Sequence, residues 1–472
     1  MKSIFTQSKH FKKEYSCDIV RIGKIIPVEG SDFLAKTEIY PGMPIVVRKD
    51  EVKEGDVMFY VNLECQICHR FLSLNNQYND PELNIDSKIK GFFNKTGRVR
   101  LIKLRGQQSM GYLFDIEAMN KYLKENFKTT INQTALENQI GTSFDEVCGE
   151  IFVKAYIPEV SVKNTSHRGN FEKKRDRRLR QFDKIIPGEF QFHYDTDQLE
   201  KNIQNIDPDE IVDICVKLHG TSIIIGNVLI NKHIPWYKKP LCWFNLIQTT
   251  EYGNIYSSRS VIKNRYINKD VTGGYYGEDI WGVWNERIKD FIDKDITIYG
   301  EIVGFTPNGQ PIQKVGKSIF DYGCKPGESK LMIYRVTRGE DGIKIEYTVP
   351  EVIEYTKELK KRMMLTGSEY TNNILEDPIV YSGTLHDRYK YIPVDENWPT
   401  NVLHALANDQ EFLMEKDESM CYNKVPREGL VLRKRNDVLK EAFKLKTMRF
   451  KNKEADAVDK GQIDTEIIES EY

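Results

Sequence analysis

Apolar and polar positions along this chain change rhythm part-way. Asp18–Val28, Pro44–Arg48 and Asp56–Val61 are β-branched or aromatic runs punctuated by Gly30, Gly42 and Gly55, the pattern of short strands joined by tight turns. Arg98–Arg105 sets Arg98, Arg100, Lys103 and Arg105 among Val99, Leu101, Ile102 and Leu104, and Gly106 ends it; it reads as a fourth strand. Such strands predict a small barrel, of which the OB fold is the usual nucleic-acid-binding example. The four basic side chains are then either a phosphate-binding row or a plain solvated face, and the pattern alone leaves both readings open.

Further on, strands and helices alternate irregularly. Val212–Val216 and Ile223–Ile225 flank a tight turn, and Ile296–Tyr299 and Leu331–Val336 read as buried strands. Ile280–Ile292 places Ile280, Val283, Trp284, Ile288 and Phe291 on one face and predicts a helix whose tryptophans are core. Val352–Leu359 and Asn401–Phe412 are also read as helices. The expected division is an OB-like module over 1–150, a basic linker over 151–189, a catalytic domain over 190–455 and an acidic tail over 456–472. The linker holds Arg168, Lys173, Lys174, Arg175, Arg177, Arg178, Arg180 and Lys184; such a run is a solvated connector or, given its place, a phosphate track. The tail is expected to fold back on a basic surface or stay mobile.

Composition narrows the class. The 472 residues suffice for two or three domains. With Lys+Arg 69 against Asp+Glu 70 the net charge is -1, so any nucleic-acid contact must come from local basic patches and not from bulk charge. The eight cysteines are scattered apart from Cys65 and Cys68, which suits free thiols in a reducing compartment. Cys65–His69 matches half a zinc site or a haem-attachment pattern, yet ordinary loop or core cysteines account for it better. The start of the chain lacks the apolar stretch of a secretory signal and no run reaches bilayer length. A cytoplasmic setting is expected, in a host cell if a phage or virus encodes the chain.

Candidate chemistry centres on Lys217-Leu218-His219-Gly220-Thr221-Ser222 between two apolar strands. A nucleophilic lysine needs desolvation or nearby positive charge, and Gly220 would let a phosphate or ribose approach the backbone. Tyr299–Gly304 ends a strand near Glu301, suited to ribose hydroxyls. Pro426–Arg433 places Glu428 at a strand start, where it could organise Mg²⁺ through water. Phe443–Lys446 puts Lys444 and Lys446 on one face of a strand, two cations able to hold a triphosphate and activate Lys217. Each segment alone is weak; their order and spacing together are not.

These segments resemble the covalent nucleotidyltransferase superfamily of polynucleotide ligases and mRNA capping enzymes. Lys217 stands in motif I, Tyr299–Gly304 resembles motif III, Leu331–Val336 motif IIIa, Glu428–Leu432 motif IV and Phe443–Lys446 motif V. The FQFHYDT stretch Phe190–Thr196, the KLHGTS core, NKVPREGLVLRKR and the N-terminal GRVRLIKLRGQQSMG are most similar to ATP-dependent RNA ligases with an N-terminal OB module that seal nicks with a 3′-OH RNA end. The implied fold is α+β: an OB-like β-barrel, then an α/β nucleotidyltransferase domain (ATP-grasp-like, ligase adenylyltransferase) with antiparallel sheets.

The resemblance implies that Lys217 attacks the α-phosphate of ATP and carries AMP, and that Lys444 and Lys446 bind that phosphate. Glu301 would bind the ribose, Tyr334 would stack on adenine, Gly220 would line the nucleotide site, and Glu428 would help place Mg²⁺ or Mn²⁺. His193 is a nucleotide-site candidate, though a structural role accounts for it as well. Arg259 in Tyr256–Ser260 resembles the arginine that contacts the 5′-phosphate end, with Arg98, Arg100, Lys103 and Arg105 as further RNA contacts. His219 departs from the common Asp, and Tyr334 from the more usual Phe. RNA or a nicked RNA/DNA duplex is the expected partner, with no membrane and no obligate protein partner. DNA ligases and capping guanylyltransferases carry an OB domain after motif V, for which Lys446 to Tyr472 is too short. A non-catalytic RNA-binding protein on a degenerate transferase domain is the rival of another class, and intact Lys217, Glu301, Glu428, Lys444 and Lys446 count against it.

Overall fold

The computed structural model describes residues 3–158, 182–194, 196–244, 246–266, 276–340, 343–436 and 441–462. The chain divides into two compact units: Met1–Ile157 with Asp197–Asn205 and Asp395–Ala407, and Pro158–Thr196 with Ile206–Val394 and Asn408–Tyr472. Most of the basic run before Lys184, and the acidic positions from Asp464 onward, lie outside the described residues.

The first unit is β-rich, as its short alternating runs predict. Tyr112–Phe114, Val57–Val61, Cys17–Arg21 and Ser143–Phe144 form one antiparallel sheet in that order, and Ile26–Pro27, Leu34–Tyr40 and Met43–Arg48 form another. Among the described residues these sheets stay separate and close no barrel. Phe59, Phe71, Phe114, Tyr122, Phe144 and Phe152 fill the core. All eight cysteines are free; Cys65 is buried in the core and Cys68 is half-buried against it.

One ion pair is fully inside this unit. Lys201 Nζ lies 2.7 Å from Asp18 Oδ2, both side chains 1% exposed. Asp18 also accepts from Ser16 Oγ at 2.7 Å and Tyr40 at 3.0 Å. A buried pair is tolerated when its remaining hydrogen-bonding sites are filled in this way.

The expected strand over Arg98–Arg105 is corrected. Only Ile102–Leu104 is strand, in a hairpin with Gln107–Ser109. Arg105 (φ 47°) and Gly106 (φ 81°) make its two-residue turn, the left-handed pair whose twist suits adjoining strands.

The second unit is built on two sheets, antiparallel apart from the short strand Ile374–Glu376, which pairs parallel with Ser329–Glu340. One orders Ala442–Lys446, Gly429–Lys434, Ile211–Lys217 and Ile379–Thr384; the other orders Thr250–Ser257, Thr221–Asn231, Ile296–Gly304, Ser329–Glu340 and Ile343–Glu346. Buried apolar positions on both faces explain the continuous apolar runs of Ile296–Gly304. The helix Ile280–Ile288 lies on the second sheet. Trp281 and Trp284 are fully buried core residues, as expected, and their ring N–H groups donate to Ser222 O at 3.0 Å and Ser329 Oγ at 3.1 Å. The helix Val349–Leu365 extends past the expected Val352–Leu359 at both ends: a Thr348/Glu351 capping box starts it early, and buried Met363 continues its packed face in the last turn.

The single helix expected over Asn401–Phe412 is two: Trp398–Ala407 and Gln410–Leu413. Asp409 caps the second, accepting from the backbone of Glu411 and Phe412.

Candidate active site

Strand register assembles the site. Lys217 lies opposite Gly429, and Gly429 opposite Lys446, so three neighbouring strands bring these positions into one row. The chain then leaves the first sheet, turns through Leu218-His219-Gly220 and enters the second at Thr221. There Ser222 faces Glu301, and Glu301 faces Met332. Residues far apart in sequence therefore meet where the two sheets adjoin.

Glu428 is the hub. Its carboxylate lies 2.6 Å from Lys217 Nζ, 3.4 Å from His219 Nδ1 and 3.9 Å from Lys446 Nζ. It is 3% exposed, whereas Lys217 keeps 24%, so the lysine is the accessible partner. Burial alone would push the Glu428 carboxyl up; Lys217, His219 and Lys446 outweigh it and hold the group well below the usual carboxylate range. The strand entry is pinned from behind. Arg427 is buried against Glu418, and Thr447 donates its hydroxyl to Arg427 O at 2.9 Å and its amide to Glu428 O at 2.9 Å.

His219 is buried between the rings of Phe320 and Phe450, with centroids at 4.8 and 5.1 Å. Its amide donates to Tyr322 at 2.7 Å. Gly220 N–H donates to Glu301 Oε1 at 3.0 Å, and Gly220 O accepts from Gln313 at 2.9 Å. A Cβ at Gly220 would stand 2.3 Å from Ile302 O. The glycine thus lets the turn pack closely on its neighbouring strand.

Tyr334 owes its direction to an irregularity. Register shifts between Tyr299, opposite Arg335, and Gly300, opposite Ile333, leaving Tyr334 as the extra residue. Such bulges re-aim a side chain. Its hydroxyl lies 3.2 Å from Ser222 Oγ, the His193 ring meets it edge-on at 5.4 Å, and Arg433 donates to its carbonyl. The structure thus brings Lys217, Gly220, Glu301, Tyr334, Glu428, Lys446 and His193 onto connected elements of one unit. Lys444 lies two positions from Lys446 on the same strand and so shares its face. Arg259 sits in the Ser258–Val261 turn, which is closed by a 3.0 Å backbone bond.

The N-terminal basic residues separate. Arg98 is buried, its side chain 4% exposed, and forms a two-point ion pair with Glu64 at 2.7 and 2.8 Å. It stabilises the module's interior and is no surface phosphate contact. Lys103 and Arg105 are exposed on the hairpin and Arg100 is half-buried. Sequence reasoning missed Glu454, which reaches Lys446 at 2.9 and 3.0 Å from the helix Met448–Asp459. The signal was Thr447, a helix-capping residue directly after the lysine strand. Among the described residues no group of three or more His, Cys, Asp or Glu is arranged to hold a metal ion, and no helix is long and apolar enough to cross a membrane.

No family model and no curated protein matches the chain in sequence. Solved structures do match in fold. A variant of Naegleria gruberi RNA ligase with ATP and Mn superposes with a TM-score of 0.51 at 17% identity, covering 93% of this chain and 98% of that one. A variant of the same ligase without ligand gives 0.53 at 17%, over 94% and 99%. Another variant, with AMP and Mn, gives 0.53 at 16%, over 94% and 99%. The chain therefore has the fold of an RNA ligase along nearly its whole length. At this identity the likeness speaks for architecture alone.

Proposed function

We propose that this chain is an ATP-dependent RNA ligase that works through an AMP adduct on Lys217. The observation that carries the reading is the partly exposed Lys217 ammonium held 2.6 Å from buried Glu428 with Lys446 beside it. This arrangement sits on a fold shared with an RNA ligase solved with ATP, with AMP and with PPi.

The Lys217 amine, once it has lost a proton, attacks the α-phosphorus of ATP; the bond to the β-phosphate oxygen breaks and pyrophosphate leaves. A 5′-phosphate oxygen then attacks the same phosphorus and frees the lysine. Finally the 3′-OH attacks the 5′-phosphate, loses its proton and displaces AMP. All three are phosphoryl transfers, so positioning and charge neutralisation dominate. Lys444 and Lys446 bind the α-phosphate, Glu301 the ribose, and Tyr334, framed by His193, the adenine. A divalent ion, Mg²⁺ or Mn²⁺, would be held mostly by phosphates and water with Glu428 as its carboxylate through water, and it would supply charge neutralisation for the triphosphate.

RNA, or a nicked RNA/DNA duplex, is the partner, with Arg259 at the 5′-phosphate and Arg100, Lys103 and Arg105 as outer contacts. The N-terminal unit acts as the OB-like nucleic-acid module and 190–455 as the transferase domain. Nick sealing from a 3′-OH RNA end, in RNA repair, is the activity this combination suits.

The test is incubation with α-labelled ATP and Mg²⁺, followed by a denaturing gel beside Lys217→Ala. Label on the wild type alone is the expected result. No label on folded wild type, with GTP also tried, would move the reading to an RNA-binding protein on an inactive transferase.

A further inference from the structure

The strands Thr221–Asn231 and Thr250–Ser257 pair along their length, Ile224 opposite Ser257 and Asn231 opposite Thr250. One end of this hairpin carries the Gly220 turn and Arg259. The other is the 232–249 segment, which contains two short helical turns, Trp236–Lys238 and Lys239–Trp243. That tip exposes Trp236 (82%), Tyr237 (62%), Leu241 (41%), Trp243 (82%), Phe244 (73%) and Leu246 (69%). Single exposed apolar side chains are ordinary, but so many within eleven consecutive residues mark an interaction site.

Charge identifies the occupant. Lys232, His233, Lys238 and Lys239 lie on this tip, and no Asp or Glu occurs between Asn231 and Glu251. Lys232 reaches Glu251 at 3.5 Å; among the described residues Lys238 and Lys239 pair with no carboxylate. Protein–protein patches are depleted in lysine at their core, whereas here lysines interleave with rings. Rings beside free cations are what unpaired nucleic acid requires, because bases stack on aromatic faces while the backbone follows the charges. The Trp236 and Tyr237 rings stand at 90° with centroids 6.2 Å apart, so they present faces in different directions.

We propose that the 232–249 tip is a stacking platform for unpaired RNA, at the end of this hairpin away from the Gly220 turn. This rests on the RNA-ligase reading for its choice of ligand. The strand Thr221–Asn231 spans roughly 30 Å at about 3.3 Å per residue. That is the length of about ten stacked nucleotides at ~3.4 Å each. The platform therefore engages substrate well away from the joined ends.

Tryptophan emission reads this directly, because Trp236 and Trp243 are exposed while Trp281, Trp284 and Trp398 are buried. Titrating the full chain with a 20-nucleotide oligouridylate is expected to quench the exposed pair. In Trp236→Ala/Trp243→Ala the quench disappears and RNA affinity falls at least tenfold, while labelling of Lys217 by ATP stays at the wild-type level. Unchanged RNA affinity in that variant overturns the platform. So does a blue shift with phosphatidylserine/phosphatidylcholine vesicles in the absence of any RNA quench, which would make the tip a membrane contact. Failure of the ligase reading is distinguishable: it is loss of label with the quench intact.

Discussion

Glu428 illustrates how a single side chain sets the character of the site. A carboxylate removed from water is costly, and here Lys217, His219 and Lys446 surround it. The same pairing restrains Lys217, which under the proposed mechanism must leave the carboxylate and lose a proton before it attacks. Glu428→Gln keeps the shape and removes the charge. The expected result is a roughly 10- to 100-fold slower labelling of Lys217. A loss of about 1–3 kcal/mol in unfolding free energy accompanies it, less than for a fully buried pair because Lys217 can reach solvent. Labelling rates and urea unfolding check both numbers; undiminished labelling would remove Glu428 from the mechanism. The placement of Lys217, Glu301, Glu428, Lys444 and Lys446 at or beside neighbouring strands was legible in the sequence because each lies in or against a short apolar run. Glu454 was not: its acidic neighbours read as a tail, and only the fold returns it to Lys446. Arg98 misled for the opposite reason, since a basic residue in an apolar run looks exposed until its partner Glu64 is seen.

Among elements, regular periodicity was readable and interruptions were not. The Val212–Val216 and Ile296–Tyr299 strands lie where their apolar spacing puts them; the expected Ile280–Ile292 helix starts as read but is α-helical only to Ile288, with a 3-10 turn over Lys289–Phe291. The bulge that turns Tyr334 toward Ser222 leaves no mark in composition. The expected Asn401–Phe412 helix followed the apolar stripe alone, which does not register the break at Asn408 and the Asp409 cap that starts a second helix.

The separate helix Trp398–Ala407 supplies a pH test. His404 Nε2 lies 2.8 Å from Glu38 Oε2 in the strand Leu34–Tyr40, both side chains 41% exposed. The hydrogen bond with Glu38 raises His404 above its ordinary 6.5, against burial. Burial pushes Glu38 up, but the hydrogen bond and charge of His404 prevail and lower it below 4.5. The histidine's contribution is fully present below pH 6.5 and is lost as pH rises through its raised folded value. The carboxylate's is present above 4.5 and is lost as pH falls. The stability difference between wild type and His404→Gln is therefore expected to peak between these values, at no more than ~1 kcal/mol for so exposed a pair. It should shrink toward pH 8 in a series of urea titrations; a difference independent of pH would show that packing alone holds this helix.

At the scale of the whole chain, a net charge of -1 gives no general attraction for a polyanion. If RNA binds, the salt dependence must come from particular clusters, and their contributions can be separated. For single strands the logarithm of the binding constant falls by about 0.7 per phosphate contact for each decade of salt. Lys238 and Lys239, both on the aromatic tip, should together account for about 1.4 of the wild-type slope. Lys238→Gln/Lys239→Gln is expected to bind a 20-nucleotide RNA with a slope shallower by that amount, at an unchanged quench of Trp236 and Trp243 at low salt. Neutralising Lys103 and Arg105 should flatten the slope by a similar increment without touching the quench at any salt. Because the rings and the cations respond to different variables, the two effects divide the tip's role between stacking and charge. An unaltered slope in the tip variant would leave the rings as the only contact there and place the phosphate contacts elsewhere on the chain.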